Sequence, residues 1–243
     1  MRRLTAKYKF NKYAIMNVNA WPFKRMAVMG GAIGLLILGS CAGPTFQILE
    51  KPILFDKERK QLSLEYMEKR YNIRQEVPYI EPKMIVLHWT AIPTLERSFA
   101  AMNPTLLPGA RTEIGTASNL NVSAQFLVDR DGTVYRQLLD TAFARHVIGL
   151  NHCAIGVENV GGGKEGLTKA QLKANEDLVR YLKSKYDIEY LIGHYEYQDF
   201  VNHPLWKEVD TGYRTQKVDP GADFMKKIRQ RTKDLGLKGS PKP

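Results

Sequence analysis

Cysteine is almost missing from this chain: Cys41 and Cys153 are the only two among 243 residues. Two cysteines allow at most one bridge, which excludes a disulfide framework. A domain of this composition must be held by its core. Long hydrophobic runs are missing too. The apolar run Met26 to Leu38 has thirteen residues, short of the ~20 that a membrane-spanning helix needs. Acidic residues are absent from the first forty positions, which carry seven cations: Arg2, Arg3, Lys7, Lys9, Lys12, Lys24 and Arg25. Removing these seven from the 36 Lys and Arg leaves 29 against 25 acids. The net charge of +11 is therefore mostly terminal. A basic face on a folded domain, the footprint of nucleic-acid binding, is not expected. No internal repeat or low-complexity tract is visible.

What is present begins at the N-terminus. Lys24-Arg25, the apolar run and then Gly39-Ser40-Cys41 have the order of a secretory signal. Leu38-Gly39-Ser40-Cys41 resembles the bacterial lipobox. That resemblance implies cleavage before Cys41 and lipidation of its thiol, hence a membrane-anchored lipoprotein of the cell envelope, periplasmic or outer-membrane. The alternative is an uncleaved signal anchor, and Met16 or Met26 are alternative starts. Once Cys41 is lipidated, Cys153 is left alone. It follows His152, but adjacent residues on a strand point to opposite faces and chelate poorly. Cys153 reads as a small buried residue.

Residues 1–40 thus form a lipoprotein signal peptide. Residues 41–56 read as a tether, because Gly43, Pro44 and Pro52 discourage a helix. Residues 57–79 form an N-terminal helical extension. Asp56 is placed to cap a helix over 57–71, with Leu62, Leu64, Tyr66, Met67 and Tyr71 among its charges. The main domain spans 80–235, and 236–243 is a disordered tail. Within the domain, Met84 to Leu87 reads as a buried strand ending at His88. Residues 91–119 read as a long loop with a short helix near Leu95–Met102. Val122–Val128 and Thr133–Leu138 flank Asp131-Gly132, a hairpin signal. Ala154–Val160 is a further strand. Thr168 with Gln171 forms a capping box for a helix whose inner stripe is Leu172, Val179, Leu182 and Tyr186. Tyr190 to Ile192 is a strand that delivers His194, and Phe224 to Leu235 is a closing helix. The expected fold class is α/β: a single domain with a central mixed sheet flanked by helices and a metal site at strand ends.

Three phrases carry the chemistry: Val86-Leu87-His88-Trp89-Thr90, Ile192-Gly193-His194 and Lys217-Val218-Asp219-Pro220-Gly221. Ala154-Ile155-Gly156-Val157-Glu158-Asn159 lies between the first two. They offer two imidazoles and a carboxylate as ligands, a second carboxylate and a cation. Three protein ligands leave the fourth corner of a tetrahedral zinc site open, and water bound there has its pKa lowered to about 7. Pro220-Gly221 makes a turn that could hold Asp219 in place. Glu158 lies in an apolar strand. It is either a general base and acid or a salt-bridge partner. Lys217 is either a donor to a developing oxyanion or an exposed lysine.

These phrases, with Asn121-Val122-Ser123-Ala124 before Arg130-Asp131-Gly132, resemble the type-2 N-acetylmuramoyl-L-alanine amidases. That fold is shared with phage-lysozyme amidases and animal peptidoglycan recognition proteins. The resemblance covers about residues 80–232. It implies Zn2+ held by His88, His194 and Asp219, catalysis by Glu158 and Lys217, and peptidoglycan or a muropeptide as substrate. Arg145, His146 and Asn151, in Ala144-Arg145-His146-Val147-Ile148-Gly149-Leu150-Asn151, match a phrase that lines the family's substrate groove. On this reading His146 stands outside the metal shell, and the chain is a monomer. Two departures stand out. Ala124-Gln125 replaces the Tyr-His of some relatives. Ala124 agrees with the subgroup that relies on the strand glutamate, while Gln125 is unusual and could alter groove contacts. Tyr195 to Gln216 is longer than in compact members, and is either a wall over the groove or a packed structural excursion. The rival function is a peptidoglycan-binding lipoprotein without turnover, which typically has lost a metal ligand. A zinc peptidase acting on the stem peptide would more typically show a His-Glu-x-x-His helix, which is absent.

Overall fold

Six strands form one mixed sheet in the computed structural model, which describes residues 46–109 and 115–241. The segment read as a signal peptide, Cys41 and the first part of the stretch read as a tether lie outside the described residues. In chain order the elements are β1 (Ile48–Glu50), α1 (Lys57–Tyr71), β2 (Met84–Trp89), α2 (Leu95–Met102), β3 (Phe126–Val128), β4 (Val134–Arg136), β5 (Ala154–Asn159), α3 (Lys169–Lys185), β6 (Tyr190–Gly193) and α4 (Ala222–Arg231). The strand order is β1-β4-β3-β5-β2-β6. Only β3 and β4 pair antiparallel, through the Asp131-Gly132 hairpin; the other pairings are parallel. This is the α/β fold with a central mixed sheet that the residue pattern implies.

The central strands are buried on both faces, so they read as continuous apolar runs. Side chains alternate across a strand, and the core divides accordingly. Ile85, Leu87, Ile155, Val157 and Leu191 belong to one cluster with Leu178, Val179 and Leu182 of α3 and Phe224, Met225 and Ile228 of α4. Met84, Val86, Ala154 and Ile192 belong to the other, with Val147, Leu150, Tyr197 and Phe200. By the same period of two, His88 and Glu158 share the second face. They are direct neighbours, since β2 and β5 pair His88 with Glu158.

The helices obey local rules. Asp56 caps α1 by accepting from the Arg59 N–H at 2.8 Å, and Asn72 ends it in the left-handed region. Thr168 and Gln171 form the capping box of α3. The closing helix is shorter than expected: α4 ends at Arg231, and a 3₁₀ turn covers Lys233–Leu235.

Two assignments at the ends of the domain are corrected. Part of the stretch read as a tether belongs to the sheet, because Ile48–Glu50 pairs with Val134–Arg136 and Ile53 is buried. Gly236 to Pro241, read as tail, is described, and Lys238 bridges Tyr190. The Lys238 N–H donates to the Glu189 carbonyl at 2.8 Å, and its own carbonyl accepts from Leu191 at 2.9 Å. Among the described residues no helix is long and apolar enough to cross a membrane.

Candidate functional site

Three chain segments deliver the expected ligands to one point. His88 lies near the end of β2, His194 opens a 3₁₀ segment (His194–Phe200) directly after β6, and Asp219 sits in the turn before α4. Glycine is needed before His194. A Cβ on Gly193 would stand 2.8 Å from the Tyr195 ring and 3.0 Å from both Met225 Cγ and Pro220 Cδ. The Asp219 turn closes with the Gly221 N–H donating to the Val218 carbonyl at 3.0 Å. The Asp219 carbonyl accepts from the Tyr195 N–H at 3.0 Å, which ties the turn to the histidine segment. His194 Nδ1 lies 3.0 Å and His88 Nδ1 3.2 Å from the same atom, Asp219 Oδ2. One ligand atom from each of the three lies within 4.8 Å of the others, and all three residues are buried. Among the described residues this is the one group of three or more such side chains placed to hold a metal ion.

The electrostatics suit a cation. Burial alone would raise the Asp219 carboxyl, but the His194 and His88 imidazoles beside it outweigh burial and hold it far below the usual carboxylate range. Burial, and then the neighbouring His88, push His194 down to about 4, against the opposing pull of Asp219. Its ring is therefore neutral at pH 7, the form that binds metal.

The group opens into a cavity of about 170 Å³ whose lining includes Glu158, Lys217, Arg145, His146 and Asn151. All the sequence-derived candidates except Cys41 thus meet in one place. Glu158 and Lys217 are half-buried on the wall. The other three do more holding than reaching. The Arg145 guanidinium donates to the carbonyls of Ser118 and Leu120 and to the Tyr213 hydroxyl, and lies over the Tyr66 ring at 5.2 Å. Asn151 accepts from the N–H groups of His146 and Val147 and donates to the Tyr71 hydroxyl at 2.8 Å. The His146 ring meets His88 Nε2 through Nδ1 at 3.0 Å and the Ala154 carbonyl through Nε2 at 3.2 Å. Both ring nitrogens are hydrogen-bonded inside the protein, so His146 backs His88 as well as lining the cavity.

Gln125 does not alter the groove. It is fully buried, accepts from the Gly156 N–H and donates to the Ala142 carbonyl, each at 2.7 Å. The 195–216 segment plays both of its expected parts. Tyr197 and Phe200 pack into the core, while Tyr213 and Thr215 line the cavity. Sequence reading did not single out wall residues such as Tyr66 of α1, Trp89 and Thr215. Tyr66 carried a signal, since it lies on the buried stripe of a capped helix. Thr215 carried none, because it is placed by contacts with Tyr197 far along the chain.

Comparison with known proteins bears on the same region. The N-acetylmuramoyl-L-alanine amidase family pattern matches residues 78–222. The endolysin of Escherichia phage T7 is 37% identical over 83 residues, which is 32% of this chain and 55% of that protein. The endolysin of Enterobacteria phage T3 is 36% identical over the same length. The matched region thus spans about half the length of these relatives. Among solved structures, the N-acetylmuramoyl-L-alanine amidase LysC from Clostridium intestinale is 20% identical, with a TM-score of 0.49, over 79% of this chain and 99% of that one. The family match covers more than half of the sequence and includes every metal-binding candidate, so the chain belongs to the N-acetylmuramoyl-L-alanine amidase family.

Proposed function

We propose that this protein is a zinc-dependent N-acetylmuramoyl-L-alanine amidase. Its reaction is hydrolysis of the amide between the lactyl group of N-acetylmuramic acid and L-alanine, in peptidoglycan or muropeptides. The observation that carries the reading is the convergence of His88 Nδ1, His194 Nδ1 and Asp219 Oδ2 on a cavity that Glu158 and Lys217 also line. The donor set fits zinc. Ligand bonds of ~2.0–2.1 Å in a tetrahedron put donor atoms ~3.3 Å apart; the two imidazoles lie 3.2 and 3.0 Å from Asp219 Oδ2, and all three donors lie within 4.8 Å of one another.

Zinc, when bound, supplies Lewis acidity and makes water a competent nucleophile near neutral pH. The remaining work falls to side chains. Glu158 takes the proton from the attacking water as the new C–O bond forms. It returns that proton to the amide nitrogen as the C–N bond breaks, leaving a lactyl carboxylate and a free L-alanine amine. The Lys217 ammonium donates to the carbonyl oxygen as it gains charge. Arg145, with Tyr66 and Tyr213 around it, shapes the wall against which the stem peptide would lie. His146 and Asn151 support that wall and the ligand behind it.

The rival is a peptidoglycan-binding protein without turnover, and the intact set of His88, His194, Asp219 and Glu158 speaks for catalysis. On sequence alone, we further propose a monomer anchored through lipidated Cys41 in the cell envelope, periplasmic or outer-membrane. Incubating the purified protein with a defined muropeptide and weighing the products tests the reaction. The expected result is a disaccharide fragment plus a peptide beginning at L-alanine. Bound but uncut muropeptide would support the rival, and a cut within the stem peptide would indicate a peptidase.

A further inference from the structure

The metal-binding reading, on which this inference rests, leaves open why His88 presents Nδ1 rather than Nε2 to the other ligands. An imidazole can offer either nitrogen, and a ring that flips or takes the wrong tautomer binds nothing. The answer lies behind the ring. Its Nε2 is 3.0 Å from His146 Nδ1, with the two rings nearly perpendicular at 88°. His146 Nε2 is in turn 3.2 Å from the Ala154 carbonyl oxygen.

A carbonyl can only accept, so His146 Nε2 must carry a hydrogen. A neutral imidazole has one N–H, so His146 Nδ1 must be an acceptor. His88 Nε2 must then be the donor, which leaves Nδ1, the nitrogen that faces Asp219, for a metal. The strand carbonyl of Ala154 thus sets the tautomer of a metal ligand two residues removed in the hydrogen-bond chain.

The rest of the local sequence holds this chain in place. Gly156 is where the His146 ring lies against β5. A Cβ there would stand 2.8 Å from both Cγ and Cδ2 of the ring and 3.0 Å from Nδ1. The Asn151 side-chain oxygen holds the backbone at this point, accepting from the N–H groups of His146 at 2.9 Å and Val147 at 2.8 Å. Gln125 pins the Gly156 N–H.

We propose that His146 is a positioning residue that locks His88 into the Nε2–H tautomer, with Nδ1 bare toward the metal, and that Gly156 is glycine because that ring must lie there. Outer hydrogen-bond partners of this kind are typically worth 10–100-fold in metal affinity.

The test has two readouts. First, long-range proton–nitrogen NMR on histidine-labelled protein reports the His88 tautomer directly, with the metal stripped and with zinc added. The expected wild-type pattern with zinc bound is Nε2–H, because Asp219 competes for a hydrogen on Nδ1 when the metal is stripped. Second, zinc affinity is measured by competition with a chromophoric chelator. His146→Phe keeps a ring against Gly156 but removes the acceptor, and zinc should bind about 10–100-fold more weakly. His146→Gln restores an acceptor oxygen and should recover part of the loss. Gly156→Ala should weaken zinc in the same direction, and combining it with His146→Phe should cost little more than either alone. Melting curves of each variant verify that it is folded. Wild-type affinity in His146→Phe, or a His88 ring carrying its hydrogen on Nδ1 in the zinc-bound protein, would overturn the proposal. If wild type bound no zinc at all, the metal reading would fail and this proposal with it, whereas zinc bound with the wrong His88 tautomer would overturn this proposal alone.

Discussion

Replacing the Glu158 carboxylate by an amide preserves its shape and removes its basicity. Glu158 neighbours His88 across β2 and β5 and lines the cavity without belonging to the ligand group. Glu158→Gln should therefore lower turnover by about 10²–10⁴-fold, the usual worth of general acid–base catalysis, with metal content unchanged. Lys217→Ala should keep its metal and lose about 10²–10³-fold, as for loss of one oxyanion donor. Muropeptide turnover together with elemental analysis checks both, and an unimpaired Glu158→Gln would pass its role to another group. At this scale the candidate ligands and Glu158 stood out in the sequence because their residue types are costly where they stand. A histidine ending an apolar strand and a glutamate inside one call for a reason. The hydrogen bonds that His146 and Asn151 make were not legible. They depend on which strand pairs with which and on the direction of each side chain, and are not written in local sequence.

Among the elements, α1 and the 195–216 segment hold each other. Arg70 Nη2 lies 2.7 Å from Glu208 Oε1, and the Glu208 side chain has no exposed surface. The Arg70 guanidinium also lies over the Tyr213 ring at 4.5 Å. Arg70→Ala would strand a buried carboxylate, which typically costs about 3–5 kcal/mol. Burial already raises Glu208 above its ordinary value, against the pull of Arg70. Without Arg70 it should rise further, so the folded variant takes up a proton more readily than the unfolded chain. The stability lost at neutral pH should then be partly regained as pH falls toward the acid range. Chemical denaturation at several pH values reads this directly, and a deficit independent of pH would contradict it.

The N-terminal edge gives a second test. A chain starting at residue 57 lacks β1 and Ile53, and should be less stable than one starting at 46 by at least the ~1.5–3 kcal/mol of burying one isoleucine. Equal melting temperatures would make β1 dispensable. Helix α1 was visible in sequence because it has a cap and a long periodic stripe. Strand β1 was not, since three residues with two of them exposed carry no period. The Asp131-Gly132 turn announced its hairpin, while the wall formed by residues 195–216 is placed by contacts distant in sequence and left no local mark.

For the whole molecule, the α/β amidase-family domain is joined to a membrane anchor that we propose from sequence alone. Cys41→Ala should abolish incorporation of labelled fatty acid and leave uncleaved precursor, while detergent-solubilised protein keeps its activity. Stable anchoring takes more than one acyl chain, since a single chain binds only marginally. Unlabelled wild type with an intact N-terminus would point instead to a signal anchor. The central claim is that His88, His194 and Asp219 hold one catalytic zinc. The direct measurement is to strip the metal, return zinc in steps and follow cleavage of the muramyl–alanine bond. The account predicts no cleavage without zinc and a rise that saturates at about one equivalent per chain, the stoichiometry of a single three-ligand site. Full cleavage by the stripped protein in the presence of chelator would contradict it.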